Sequence, residues 1–204
     1  MKFKQTLPDT RERLIAAMIS ALQRRGLHGI GLTELLETAQ APKGVLYHHF
    51  PGGKTALAVA AISASLDAMV ANFDALLERE SDPVAALRAW LSRAQRQLER
   101  TGYAAGCPLA AVALESTPDD EDLRHILAHA FDILRERLAL LLQQAGLPAS
   151  RSAGLAALLV AAYEGALMQA RVAGTGRVLT DTTDILLDLV TRELREAAAH
   201  PQKS

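Results

Sequence analysis

Pro42-Lys43-Gly44-Val45-Leu46-Tyr47-His48-His49-Phe50-Pro51-Gly52-Gly53-Lys54 puts a helix-starting proline, a cluster of polar donors, two apolar anchors and a glycine-rich stop into thirteen residues. Pro42 suits the first position of a helix, where its missing N–H would be unpaired anyway. Leu46 and Phe50, four apart, then face inward, and Lys43, Gly44, Tyr47 and His48 face outward. A helix this short cannot stand alone and needs neighbours to bury its apolar side.

Those neighbours precede it. Asp9 and Glu12 have capping-box spacing, Leu14, Ile15, Met18, Ile19 and Leu22 recur on one face, and Gly26 ends the run, which predicts a helix over 9–25. Leu32, Leu35, Leu36 and Ala39 predict a second helix of about two turns before the break at Gln40-Ala41-Pro42. Three short helices with a tight turn before the last form the helix-turn-helix pattern, whose final helix reads the major groove.

Charge follows the same division. Residues 1–54, including Lys2 and Lys4, hold eight Lys and Arg against four Asp and Glu, a net +4, and the rest of the chain holds fourteen against nineteen, a net −5. Affinity for phosphate is therefore expected in the N-terminal quarter. Lys43 is positioned for guanine O6 and N7, Gly44 for close backbone approach and Val45 for a thymine methyl. Tyr47, His48, His49, Lys54 and, one helix earlier, Thr33 are candidate phosphate donors. Adjacent histidines point about 100° apart on a helix and have no acidic or cysteine partner at ligand spacing, so no metal site is expected.

From Lys54 onward the pattern is helical throughout, with helices expected at about 54–79, 83–101, 108–116, 120–145, 150–173 and 181–199, and a frayed tail at His200 to Ser204. No strand-like alternation or internal repeat interrupts it, and half of the 204 residues are hydrophobic but only 4% aromatic. The fold class is all-α, an N-terminal three-helix helix-turn-helix domain (1–53) followed by a second helical domain (54–204). A single cysteine, Cys107, rules out an intrachain disulfide. Met1 to Leu7 lacks the apolar run of a signal peptide, and charges interrupt the apolar segments, so a soluble cytoplasmic protein without a membrane span is expected.

The series Gly26-Leu27, Leu35-Leu36, Ala39, Lys43-Gly44-Val45-Leu46-Tyr47-His48-His49-Phe50, Lys54 and Leu57 resembles the N-terminal domain of the TetR family of transcriptional repressors. Phe50-Pro51-Gly52-Gly53-Lys54 and Gly106-Cys107-Pro108-Leu109-Ala110-Ala111-Val112-Ala113-Leu114-Glu115 further resemble its LmrA/YxaF-like subgroup. The resemblance implies a homodimer that binds a palindromic operator and releases it when a small hydrophobic or aromatic effector enters the C-terminal domain. Three positions depart from the family pattern: Ile30 replaces a capping Thr or Ser, Gln40 replaces the turn glycine, and Val45 offers little hydrogen-bonding specificity.

In the C-terminal part, Met69, Phe73, Trp90, Cys107, Phe131, Tyr163 and Met168 are the bulky or polarizable groups on helices that enclose the effector in this family, although each also suits plain core packing. Glu115 and Glu164 lie within apolar stretches, and a buried carboxylate there must be paired or reach a ligand's donor; Glu164 is the preferred polar effector contact. Cys107, before Pro108 at a helix start, admits three readings: nucleophile, redox sensor or structural residue. Small residues Ala153, Gly154, Ala157, Ala161, Gly165 and Ala166, with the stripe Ile185, Leu186, Leu189, Val190 and Leu194, mark the last two helices for close packing. The family resemblance implies that these helices form the dimer interface, with Ala157, Ala161, Gly165, Ile185 and Leu189 in it. No nucleophile-base-orienter set or cofactor loop is present, so neither enzymatic activity nor a cofactor is expected.

Overall fold

The computed structural model describes Asp9–His200. Lys2, Lys4, the Met1 to Leu7 stretch and tail residues 201–204 lie outside the described residues. Among those described there are nine helices and no strand: α1 Thr10–Arg25, α2 Leu32–Thr38, α3 Lys43–His49, α4 Gly53–Leu77, α5 Pro83–Arg100, α6 Pro108–Glu115, α7 Glu121–Gln144, α8 Ala149–Ala173 and α9 Arg177–Ala199. They form two compact units, one reaching Ser65 and including 108–127, the other made of 66–107 and 128 onward. Within the first unit α6 lies along α1.

The first unit is built on α1. Asp9 Oδ1 accepts the Glu12 N–H at 2.9 Å and Glu12 Oε2 accepts the Asp9 N–H at 3.2 Å, closing the capping box. Leu14, Met18 and Leu22 are fully buried where α1 packs against α2 and α3, which bury Leu35, Leu36 and Leu46, with Phe50 buried just after α3. Pro42 stands just outside α3 as its cap, not within it, since its ψ of 146° is extended.

The turn from α2 into α3 is a Schellman motif. The Ala41 N–H reaches the Leu36 carbonyl at 2.9 Å and the Gln40 N–H reaches Glu37 O at 3.0 Å, with Gln40 at φ 50°. A non-glycine residue in this left-handed region is strained. Gln40→Gly is therefore expected to raise unfolding free energy by about 1 kcal/mol, read as a higher urea midpoint at unchanged slope; no gain would show that the Gln40 backbone is not the strained point.

The second unit buries Phe73, Leu87, Leu91, Leu98, Leu138, Leu142, Leu159, Tyr163 and Leu187 in one core. Asp82 caps α5 by accepting the Val84 and Ala85 N–H groups at 3.2 and 3.1 Å, with Pro83 at its first turn. Gly174, at φ 64°, ends α8 in a left-handed cap. α9 then starts at Arg177, four residues before the expected 181, because the reversal is complete at Gly176 and Leu179 is already fully buried. α4 and α8 are long and apolar enough, by length and composition, to cross a membrane. Part of their apolar surface serves here as core, Leu57, Ala58, Ala61 and Ile62 in α4 and Leu155, Leu159, Tyr163 and Leu167 in α8.

Candidate functional site

α3 has only seven residues, and its orientation rests on Leu46, fully buried, and Phe50, whose N–H closes on the Leu46 carbonyl at 2.7 Å. That anchoring turns Lys43, Gly44, Tyr47 and His48 to solvent and leaves Val45 and His49 half-buried. A Cβ at Gly44 would meet nothing within 4 Å, so the backbone there is open to close approach. The Tyr47 ring packs at the start of α4, its Cε1 3.4 Å from where a Gly53 Cβ would sit. The His48 and His49 rings lie edge-to-face at 5.1 Å, and Arg11 sits 5.5 Å from the Phe50 ring centroid. Thr33 is exposed in the first turn of α2.

Lys54 also has a partner within the protein. Its ammonium donates to the Ile30 carbonyl at 2.6 Å, and burial lowers its pKa, an effect opposed by the Glu115 charge. One donor is thus committed to holding the α1–α2 turn, which qualifies the expectation of a free phosphate ligand. Ile30, at the position of the family's polar cap, is buried, and Gly31 caps α2 without any side-chain hydrogen bond.

Two further ties join partners that the sequence does not identify. Arg13 donates from α1 to the Ala39 carbonyl at 3.1 Å and the Gln40 carbonyl at 3.3 Å, fixing the turn that aims α3. Glu115, at the end of α6, accepts the N–H groups of Leu27 and His28. The sequence marks Glu115 as a carboxylate in need of partners; those partners are backbone groups nearly ninety residues away.

In the second unit several of the expected effector residues converge. Phe73 meets Trp90 edge-to-face at 5.5 Å, and Trp90 lies 6.1 Å from Tyr163. The Tyr163 hydroxyl donates to the Leu91 carbonyl at 3.3 Å, and burial, with Glu164 and Cys107 adding, pushes its pKa well up. Burial also raises the Glu164 pKa, against the opposing effect of its hydrogen bond with Cys107. Met69 and Phe131 are half-buried.

Met168 does not join this group and is 54% exposed. Five residues after Tyr163 it is rotated about 140° around the helix, so a core-facing Tyr163 sends Met168 outward. It falls instead on a stripe with Leu158, Ala161, Gly165 and Val172, of which Ala161 and the three large side chains are exposed and Gly165 is half-buried. Ala157 is also exposed on α8; on α9 Ile185 is 69% exposed and Leu189 half-buried.

Comparison with known proteins places this arrangement. Residues 83–185 match the family model described as the C-terminal domain of LmrA/YxaF-like transcriptional regulators. An HTH-type transcriptional regulator of Mycobacterium tuberculosis is 33% identical over 95% of this chain and 97% of its own length. The HTH-type transcriptional repressor NemR of Escherichia coli is 34% identical over 59% of this chain and 61% of that protein. Among solved structures, the regulatory protein TetR from Rhodobacter sphaeroides superimposes with a TM-score of 0.80 at 27% identity, covering 88% of this chain and 97% of that one. With three short N-terminal helices and a helical C-terminal half that carries the subgroup's own signature, the chain belongs to the TetR family of DNA-binding transcriptional regulators, in its LmrA/YxaF-like subgroup.

Proposed function

We propose that this protein is a cytoplasmic homodimeric repressor that holds a palindromic operator and releases it when a small hydrophobic or aromatic molecule binds its C-terminal domain. The observation that carries this reading is the α3 surface: Leu46 and Phe50 are buried, and Lys43, Gly44, Tyr47 and His48 all face solvent. Residues 1–53 read DNA, with Lys43, Gly44 and Val45 toward bases and Thr33, Tyr47, His48 and His49 toward phosphates; Lys54 contributes its remaining donors. Residues 54–204 bind the effector and dimerise. The Phe73, Trp90 and Tyr163 rings beside Glu164 favour a flat apolar effector carrying one hydrogen-bond donor. Cys107 acts there as Glu164's hydrogen-bond partner.

The outward stripe on α8 and the exposed Ile185 of α9 support dimerisation through these two helices. Two α3 helices set about 34 Å apart would enter successive major grooves. The effector must bind the released conformation better, since equal affinity for both shifts nothing.

Retardation of the DNA upstream of the protein's own gene tests the reading. The wild-type chain should bind it in preference to a scrambled fragment, and Lys43→Ala with Tyr47→Ala should weaken that binding by about 100-fold, at roughly 1–3 kcal/mol per contact. Equal affinity for both fragments at physiological salt would sink it.

A further inference from the structure

We propose that Glu115 is a positioning residue for DNA reading: from the last turn of α6 its carboxylate grips the backbone of the α1–α2 turn and so sets where α2 and α3 stand. The inference rests on the reading of α3 as the DNA-contacting helix, and Glu115 itself touches no DNA in it.

Three observations converge on this carboxylate. Oε2 accepts the Leu27 N–H at 2.6 Å and the His28 N–H at 3.0 Å, a charge-assisted pair on two donors beyond the end of α1. Gly26 leaves the space for it, because a Cβ there would stand 1.8 Å from Glu115 Oε1. Lys54 holds the same turn by the Ile30 carbonyl at 2.6 Å. The turn is therefore held at its N–H groups by an anion and at a carbonyl by a cation, with Leu27 and Ile30 buried on either side of the segment.

α2 starts two residues after Ile30, and Arg13 fixes the next turn, so displacement of residues 27–30 is passed to α2 and α3 as a body. Arg25 also pairs with Glu34 across the α1–α2 turn, and of the described charged side chains that hold these turns, Arg13, Arg25, Glu34, Lys54 and Glu115, only Glu115 comes from beyond residue 54. α6 begins at Pro108, directly after Cys107, the last residue of the 66–107 segment of the second unit. Chain continuity thus gives the effector-binding unit a connection to the reading head through α6, separate from the one through α4.

Electrostatics alone gives the opposite sign. Removing an acidic charge from the reading unit strengthens its attraction for phosphate, whereas loss of positioning weakens binding. The test uses the full-length chain, the DNA upstream of its own gene, and amide hydrogen exchange of the DNA-free protein at 25 °C. Glu115→Ala is expected to keep its helical circular dichroism, to bind about 10-fold more weakly, and to exchange α2 and α3 amides about 10-fold faster. Glu115→Gln, whose amide oxygen accepts the same two N–H groups, should recover most of both. Should Glu115→Ala fail to fold, Glu115→Asp, which keeps the charge but draws it back by one methylene, is expected to show both changes. Unaltered exchange in α2 and α3, or a lowered melting temperature with binding unchanged or tighter, would overturn the proposal. If the wild-type chain retards no upstream DNA, the DNA reading fails, and the exchange comparison alone decides the role of Glu115.

Discussion

Replacement of Ile185 by glutamate is expected to yield a folded monomer whose operator affinity is at least about 100-fold lower than wild type. In a single protomer the side chain is 69% exposed, so the substitution costs the isolated fold little, within about 0.5 kcal/mol for a surface position. In a two-fold symmetric interface the same residue appears from both partners, so the charge is buried twice. Each unpaired carboxylate costs several kcal/mol there, and two of them weaken association by about four orders of magnitude or more. A monomer presents one α3 to one half-site and loses the gain of linked binding, commonly 10²-fold or more. Light scattering and DNA titration on one preparation check both parts. A variant that stays dimeric at micromolar concentration with unchanged affinity would remove α8 and α9 from the interface.

What could be read from the sequence and what could not divide along physical lines. Features set by neighbours in the chain were readable: the Asp9–Glu12 capping box, the Gly26 and Gly174 stops, and the inward pair Leu46 and Phe50. Each depends on a spacing of about four residues or fewer, where backbone geometry fixes the outcome. Features set by partners far along the chain were not. Glu115 advertises a need for donors, but its apolar helix carries nothing that points to Leu27 and His28, and Lys54 carries nothing that points to Ile30. Met168 is an intermediate case: its 140° offset from Tyr163 follows from helix geometry, but only the observed burial of Tyr163 decides which of the two faces in. The start of α9 was missed because glycine punctuation gives a turn's centre better than its end.

Phe50→Ala is expected to destabilise the DNA-reading unit by about 3–5 kcal/mol, the cost of removing a buried aromatic ring. Phe50 is 4% exposed, and its backbone closes both sides of a junction. Its N–H ends α3 on Leu46 O at 2.7 Å, and its carbonyl accepts the Gly53 N–H at 2.8 Å where α4 begins. The ring therefore anchors the point at which the reading helix hands over to the long helix that continues into the second unit, and Arg11 above it loses its aromatic partner as well. Where the unit's own stability is about 5 kcal/mol, the low end for a domain, the loss leaves a substantial fraction of molecules with α3 undocked, and apparent operator affinity falls in proportion to the fraction that stays docked. The contrast with Lys43→Ala and Tyr47→Ala is diagnostic. Those residues are exposed, so their removal should weaken DNA binding with the urea midpoint nearly unchanged, whereas Phe50→Ala should shift the midpoint and weaken binding together. A midpoint shift equivalent to less than about 1 kcal/mol would mean that Leu46 alone holds α3, and that the aromatic end of the motif serves something other than docking the helix.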